Sequence, residues 1–320
     1  MKKFLVSLIG LSGLLLSSCG GVHHSVEEYK KELEYHDNFK IMQLTDIHFG
    51  IEMDHQKELK HLKNVIESAP EADLIVITGD SFLDADKKCV DTLVSFIDSF
   101  NKPWAFTYGN HDFQGDYDSF YIADQIRKAK NSVFVDYDDD DLHGFTNYFI
   151  NLKENNKTKY RLYIIDSNSY APVGIKYGYD IIHEEQLKHV EDIYMSDPAP
   201  ALAFFHIPLV EYQTAYNLYE KGEIEGQGKN NEACCPGYTD TNRAFARLKN
   251  SGVLATFVGH DHVNYSDLKY NNMILSYGVK ATDLVYHEEE ILGSKIITLP
   301  KEVSEFGLNS IESRFVKYEK

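Results

Sequence analysis

The sequence is poor in cysteine, in basic charge and in long apolar runs. Its four cysteines in 320 residues stand at 19, 89, 234 and 235, too few for the disulfide framework of a small secreted scaffold. None shows the CxxC spacing of a zinc site. Cys89 falls on the apolar face of an expected helix and reads as a small core residue. Cys234 and Cys235 read either as a vicinal bridge or as two reduced loop thiols. Lys and Arg total 32 against 50 Asp and Glu, a formal charge of −18. That shortage argues against a protein that grips nucleic-acid backbone, because such binding is driven by Lys and Arg displacing phosphate counterions. It leaves room for a phosphorylated substrate held by metal ions. No apolar run reaches the ~20 residues of a membrane-spanning helix, which excludes a polytopic membrane protein. What is present is core material: 43% apolar and 13% aromatic residues, enough for one large α/β domain or two ordinary ones. No internal repeat marks a solenoid or propeller.

The N-terminus reads as a targeting segment. Lys2 and Lys3 precede an apolar run over residues 4–16, the pattern of a secretory signal. It closes on Leu16-Ser17-Ser18-Cys19-Gly20, which resembles the lipobox of bacterial lipoproteins. The resemblance implies a signal peptide over residues 1–18 and lipid on Cys19, hence an extracytoplasmic, membrane-anchored protein. Residues 19–37 are polar and suit a tether, leaving residues 38–320 as the folded domain.

Five short runs rich in β-branched and aromatic residues share one property. Residues 40–45 lead into Asp46-Ile47-His48, and 74–78 into Gly79-Asp80. Residues 103–108 lead into Gly109-Asn110-His111-Asp112, 201–205 into His206, and 253–258 into Gly259-His260-Asp261-His262. Each predicts a buried strand that delivers Asp, Asn or His at its carboxyl end, where open α/β sheets place their ligand crevices. Helical spacing fills the intervals at 56–69, 86–100, 119–130, 184–195 and 240–250. Hairpins are expected between 147–153 and 159–165, and between 267–270 and 273–277 across Asn271-Asn272. Final strands are expected at 295–299 and 314–318.

A phosphoester resists hydroxide because its oxygens already carry negative charge. Two metal ions about 3.5–4 Å apart neutralise that charge and lower the pKa of a shared water. Such a site wants carboxylates, imidazoles and an amide oxygen, which Asp46, His48, Asp80, Asn110, His206, His260 and His262 supply. Nitrogen and oxygen donors suit Mn, Fe, Zn or Mg without choosing among them.

The series Asp46-x-His48, Gly79-Asp80, Gly109-Asn110-His111-Asp112, His206 and Gly259-His260-x-His262 resembles the five-block signature of calcineurin-like metallophosphoesterases. The resemblance implies an α/β fold of two facing mixed β-sheets flanked by helices, a four-layer α/β-β/α sandwich. It implies one metal on Asp46, His48 and His262, another on Asn110, His206 and His260, and Asp80 between them. A metal-bound hydroxide would then hydrolyse a small phosphoester, with His111 assisting the leaving oxygen and Asp112 orienting His111. Phe204-Phe205-His206-Ile207-Pro208 and Gly259-His260-Asp261-His262-Val263-Asn264 are similar to the purple-acid-phosphatase-like branch, as are Asn147-Tyr148 and Asp166-Ser167. Purple acid phosphatases carry a tyrosine three residues after the second-block aspartate. Leu83 stands there in this chain, so a colourless dinuclear site is expected. A phosphatase is favoured; a phosphodiesterase or nucleotide hydrolase on the same site, and a non-catalytic surface-binding lipoprotein keeping the fold, are the alternatives.

Other features carry less. Asp261 reads as a residue behind the ligands or at the surface rather than a ligand. His55, His61, His143, His183, His189 and His287 read as exposed or helix-face histidines. The acidic run 136–141 lacks the Gly and terminal Glu of an EF-hand loop and reads as a solvated loop. Residues 210–239 form a long segment that is either a lid over the metal site or a surface excursion.

Overall fold

The structure is a computed structural model that describes residues 26–135, 142–172, 178–238, 242–302 and 311–317. Its first half runs β1 (Lys30–Glu34), β2 (Phe39–Leu44), α1 (His55–Glu67), β3 (Leu74–Thr78), β4 (Ala85–Asp86), α2 (Lys87–Asp98), β5 (Trp104–Thr107), β6 (Gly115–Asp116) and α3 (Ser119–Lys128). There follow β7 (Asn147–Glu154), β8 (Lys157–Ile165), α4 (Glu184–Ser196), β9 (Ala201–Phe204), α5 (Glu211–Glu220), β10 (Gly226–Gln227) and α6 (Ala244–Asn250). The chain closes with β11 (Val253–Val258), β12 (Asp267–Tyr270), β13 (Met273–Tyr277), β14 (Gly293–Leu299) and β15 (Glu312–Lys317).

Two mixed sheets hold the core. One has eight strands in the order β1-β7-β8-β9-β11-β13-β12-β10, and the other five in the order β15-β14-β2-β3-β5. The neighbours β2, β3 and β5 are parallel, as are β8, β9, β11 and β13. These are the strands whose uninterrupted apolar runs need cover on both faces. Hydrogen bonds cross between the sheets: Gln43 Nε2 donates to the Val258 carbonyl at 3.0 Å and Thr107 Oγ1 to the Ile165 carbonyl at 2.9 Å. The ends of β2 and β5 thereby meet the ends of β11 and β8.

Side-chain caps start the helices. Asp54 accepts from the amides of Gln56 and Lys57, Asp86 from Cys89 and Asp118 from Tyr121, each satisfying amides that the first helical turn leaves free. Val65 and Ile66 of α1 and Val90, Leu93 and Ile97 of α2 are buried. Both hairpins turn on Asn pairs with positive φ, Asn155-Asn156 and Asn271-Asn272, the backbone that two-residue turns of right-twisted strands require.

Three expectations need correction. Residues 30–34, read as tether, form β1 and pair in parallel with β7 between the buried Tyr29 and Tyr35. An edge strand covered on one face alternates with polar residues, and its composition therefore looks like linker. Residues 211–220 are helix rather than loop: Tyr212 is buried and its hydroxyl meets Thr256 Oγ1 at 2.8 Å. Helix α6 begins at Ala244 rather than near 240, because Arg243 takes a left-handed φ of 58°. The signal segment, Cys19 and the acidic run 136–141 lie outside the described residues. No helix among the described residues is long and apolar enough to cross a membrane.

Candidate metal centre

The five strand ends converge. Asp46, His48, Asp80, Asn110, His206, His260 and His262 are all buried. Donor atoms of Asp46, His48, Asp80 and His262 lie within 4.8 Å of one another, and so do those of Asp80, His206 and His260. Asp80 belongs to both groups. Its Oδ2 is 3.1 Å from His206 Nε2 and 4.0 Å from His48 Nε2, while His262 Nε2 is 3.4 Å from Asp46 Oδ1 and 3.0 Å from His48 Nε2.

The backbone is bent to make this possible. Asp46, His48, Asp80 and His260 all have φ between 48° and 78°, a region costly for residues with a Cβ, at about 1–3 kcal/mol each. Such turns point consecutive donors inward instead of alternating them as a strand would. Gly109 admits the closest approach, since a Cβ there would collide with the amide nitrogen and Oδ1 of Asp80.

Neighbouring groups fix the rings. His206 Nδ1 donates to the Thr78 carbonyl at 2.8 Å and His262 Nδ1 to the Tyr286 carbonyl at 3.0 Å, leaving Nε2 of each directed inward. Asp46 accepts from Thr45 Oγ1 and from the His260 amide, and Asp80 Oδ1 accepts from the His111 amide at 2.8 Å.

Burial opposes charge on Asp80, His206 and His260. On Asp80 it is overcome by the charge and contact of His206, which hold the carboxyl below its usual range. Burial likewise disfavours a charged His206, yet Asp80 and Asp46 push it up to about 10. Burial and then the charge of His206 push His260 down to about 3. In the protein alone, a proton on His206 supplies positive charge between the carboxylates. Meanwhile Oδ1 and Nδ2 of Asn110 are buried with no hydrogen-bond partner among the described residues. Orphaned polar atoms of this kind cost about 1–3 kcal/mol each. Two carboxylates and four imidazoles gathered in two groups that share Asp80 suit cations of Mn, Fe, Zn or Mg type, so the residues fit a metal pair.

Asp112 sits differently from expectation. The His111 ring lies 5.3 Å from that of His48, at the edge of the cluster. Its Nδ1 bonds Gln114 Oε1 at 2.7 Å, and Gln114 Nε2 donates to Tyr170 Oη at 2.7 Å. Asp112 does not orient His111. It is buried and accepts from the amides of Phe82 and Gly109 at 2.9 and 2.7 Å, tying the ends of β3 and β5 together. Burial and the neighbouring Asp80 push its carboxyl up to about 8. The short 3-10 turn His111–Phe113 carries Asp112 inward while Gln114, three residues after His111, meets the ring.

Sequence reasoning missed three more contributors. Buried Lys280 donates to the Asp46 carbonyl at 2.7 Å, Tyr286 stacks on His262 with centroids 4.2 Å apart, and Tyr179 stands edge-on to His260 at 4.2 Å. None adjoins a ligand in sequence, so no local signal marks them. Asp261 is buried and accepts from Tyr277 Oη at 2.5 Å and from the Cys235 amide at 3.2 Å. Cys234 and Cys235 are free thiols. Of residues 210–239, the α5 part packs beside β12, whereas the later part borders the centre: Glu232 meets Tyr286 Oη and the Tyr238 amide bonds the Tyr179 carbonyl.

Two facing mixed sheets with buried carboxylates, imidazoles and a carboxamide at their strand ends define a metallophosphoesterase. The calcineurin-like phosphoesterase family model matches residues 39–264, and the chain belongs to that family. It is 28% identical over 312 residues to a protein of Arabidopsis thaliana named probable inactive purple acid phosphatase 29, covering 84% of this chain and 78% of that one. It is 28% identical over 278 residues to the Saccharomyces cerevisiae phosphatase DCR2, covering 75% of this chain and 47% of the other. Among solved structures, a dimetal phosphatase from Danio rerio superposes with a TM-score of 0.53 at 13% identity, over 89% of this chain and all of that one. The last likeness is one of fold.

Proposed function

We propose that this chain hydrolyses phosphate monoesters at a two-metal centre, on the outer side of a membrane to which lipid on Cys19 anchors it. The observation that carries the reading is the completeness of the donor set, with Asn110 keeping unsatisfied buried atoms next to it in the chain. Asp46, His48 and His262 would hold one ion, Asn110, His206 and His260 the other, and Asp80 both. When bound, the ions supply charge neutralisation of the phosphoryl oxygens and a water of lowered pKa.

The protein's own part is positional. Thr78 and Tyr286 hold the His206 and His262 rings, Lys280 holds the Asp46 carbonyl, and the strained turns keep the donors facing inward. His111 Nε2 gives a proton to the departing alcohol oxygen while Gln114 fixes the ring through Nδ1. Gln114→Ala should lower kcat about tenfold, less than the roughly 10²–10⁴-fold that general acid catalysis supplies, because the acid itself stays in place. The loss should be larger for alkyl phosphates, whose leaving groups need the proton, than for 4-nitrophenyl phosphate. An equal loss on both substrates would remove Gln114 from this role.

The relatives' names support a phosphatase, and one of them is called probable inactive, so elemental analysis with a panel of mono- and diesters is the direct test. Two bound metals without turnover on any ester would favour a binding protein. The anchor has its own test: Cys19→Ala should move the protein from the membrane fraction to the soluble one.

A further inference from the structure

Away from the seven-donor cluster, α1 carries Glu58 and His61, three residues apart and therefore on one helix face, and both are buried. Asp283, beyond β13, comes against them. His61 Nδ1 is 3.8 Å from Asp283 Oδ1, and one donor atom from each of the three residues lies within 4.8 Å of the others. Lys57 closes the outer side, with Nζ 3.1 Å from Glu58 Oε1 and 3.2 Å from Asp283 Oδ2. Its side chain is 60% exposed where that of Glu58 is 3%. The remaining oxygens, Glu58 Oε2 and Asp283 Oδ1, have no hydrogen-bond partner among the described residues. One ammonium thus serves the outer oxygens of two carboxylates, and the inner oxygens face an imidazole. A buried carboxylate oxygen in that position needs a proton or a cation.

We propose that Glu58, His61 and Asp283 form a further divalent-cation site that takes a first-row metal ion such as Zn²⁺ or Mn²⁺. Two carboxylates and an imidazole match such ions, whereas Ca²⁺ takes an all-oxygen shell. Burial pushes the Glu58 carboxyl up, against the pull of Lys57, consistent with a group short of positive charge. The ion would fasten α1 to the loop that supports the main centre. Thr282, next to Asp283, donates to the Ile47 carbonyl between Asp46 and His48 at 2.8 Å, and three residues after Asp283 the Tyr286 carbonyl holds His262. This site stands whether or not the chain is a phosphatase.

The test is metal stoichiometry of the full chain in detergent, by native mass spectrometry and calorimetry with Zn²⁺ and Mn²⁺. Glu58→Gln and Asp283→Asn should each take up one equivalent fewer than wild type, whatever the main centre holds, with circular dichroism confirming that each variant is folded. Lys57→Ala should bind this further ion about twofold to fivefold more tightly, because the ammonium competes for the same carboxylates across a largely exposed ion pair. The same stoichiometry in wild type and in both folded carboxylate variants would overturn the proposal. Weaker or unchanged binding of the further ion in Lys57→Ala would equally overturn it, showing that Lys57 is the cluster's counter-charge.

Discussion

Asp80→Ala is expected to lower kcat/KM by about 10⁴-fold and to strip bound metal, while His111→Ala lowers it by about 10²–10³-fold with the metal retained. Asp80 is common to both donor groups, so its loss opens each of them and leaves His206 beside no carboxylate of its own. His111 holds no such place; its ring is fixed by Gln114 at the margin of the cluster. Metal content by elemental analysis, measured beside rate, separates the two. If His111→Ala loses metal as Asp80→Ala does, His111 belongs to the ligand set. If Asp80→Ala keeps both metal and rate, the proposed centre is wrong.

Asp112→Ala is expected to destabilise the protein by about 2–4 kcal/mol, seen as a Tm lower by roughly 4–10 °C. The amides of Phe82 and Gly109 would both lose their acceptor in a site closed to water. Folded molecules of this variant should keep the wild-type discrimination between alkyl and aryl phosphates, because Gln114 still holds His111. Differential scanning fluorimetry and the two-substrate rate ratio check both halves. A stable Asp112→Ala protein with the altered discrimination expected of Gln114→Ala would return Asp112 to the orienting role that its neighbour relation to His111 implies.

The contrast between Asp112 and Gln114 shows where sequence reasoning stops. Adjacent residues in a GNHD block look like a catalytic pair, but a tight helical turn sends adjacent side chains in different directions and brings i and i+3 together. The same geometry placed Glu58 beside His61, where spacing had assigned both to helix without foreseeing Asp283 as the third member. Edge strand β1 and helix α5 were illegible for another reason: each has only a partial apolar face, and its burial depends on elements far away in the chain.

The strand ends were legible because a buried parallel strand must be apolar throughout, so a polar residue at its carboxyl end stands out. Asp46, His48, Asp80, Asn110, His206, His260 and His262 were therefore recognisable by residue type and position alone, as was the alternation of strands and helices around them. Only the tertiary structure decided which donors share Asp80, which backbone turns run left-handed to aim them, and that Lys280, Tyr286 and Gln114 hold the centre in shape. Those contacts join residues up to 234 positions apart, and no local periodicity records a contact made by the closure of two sheets on each other.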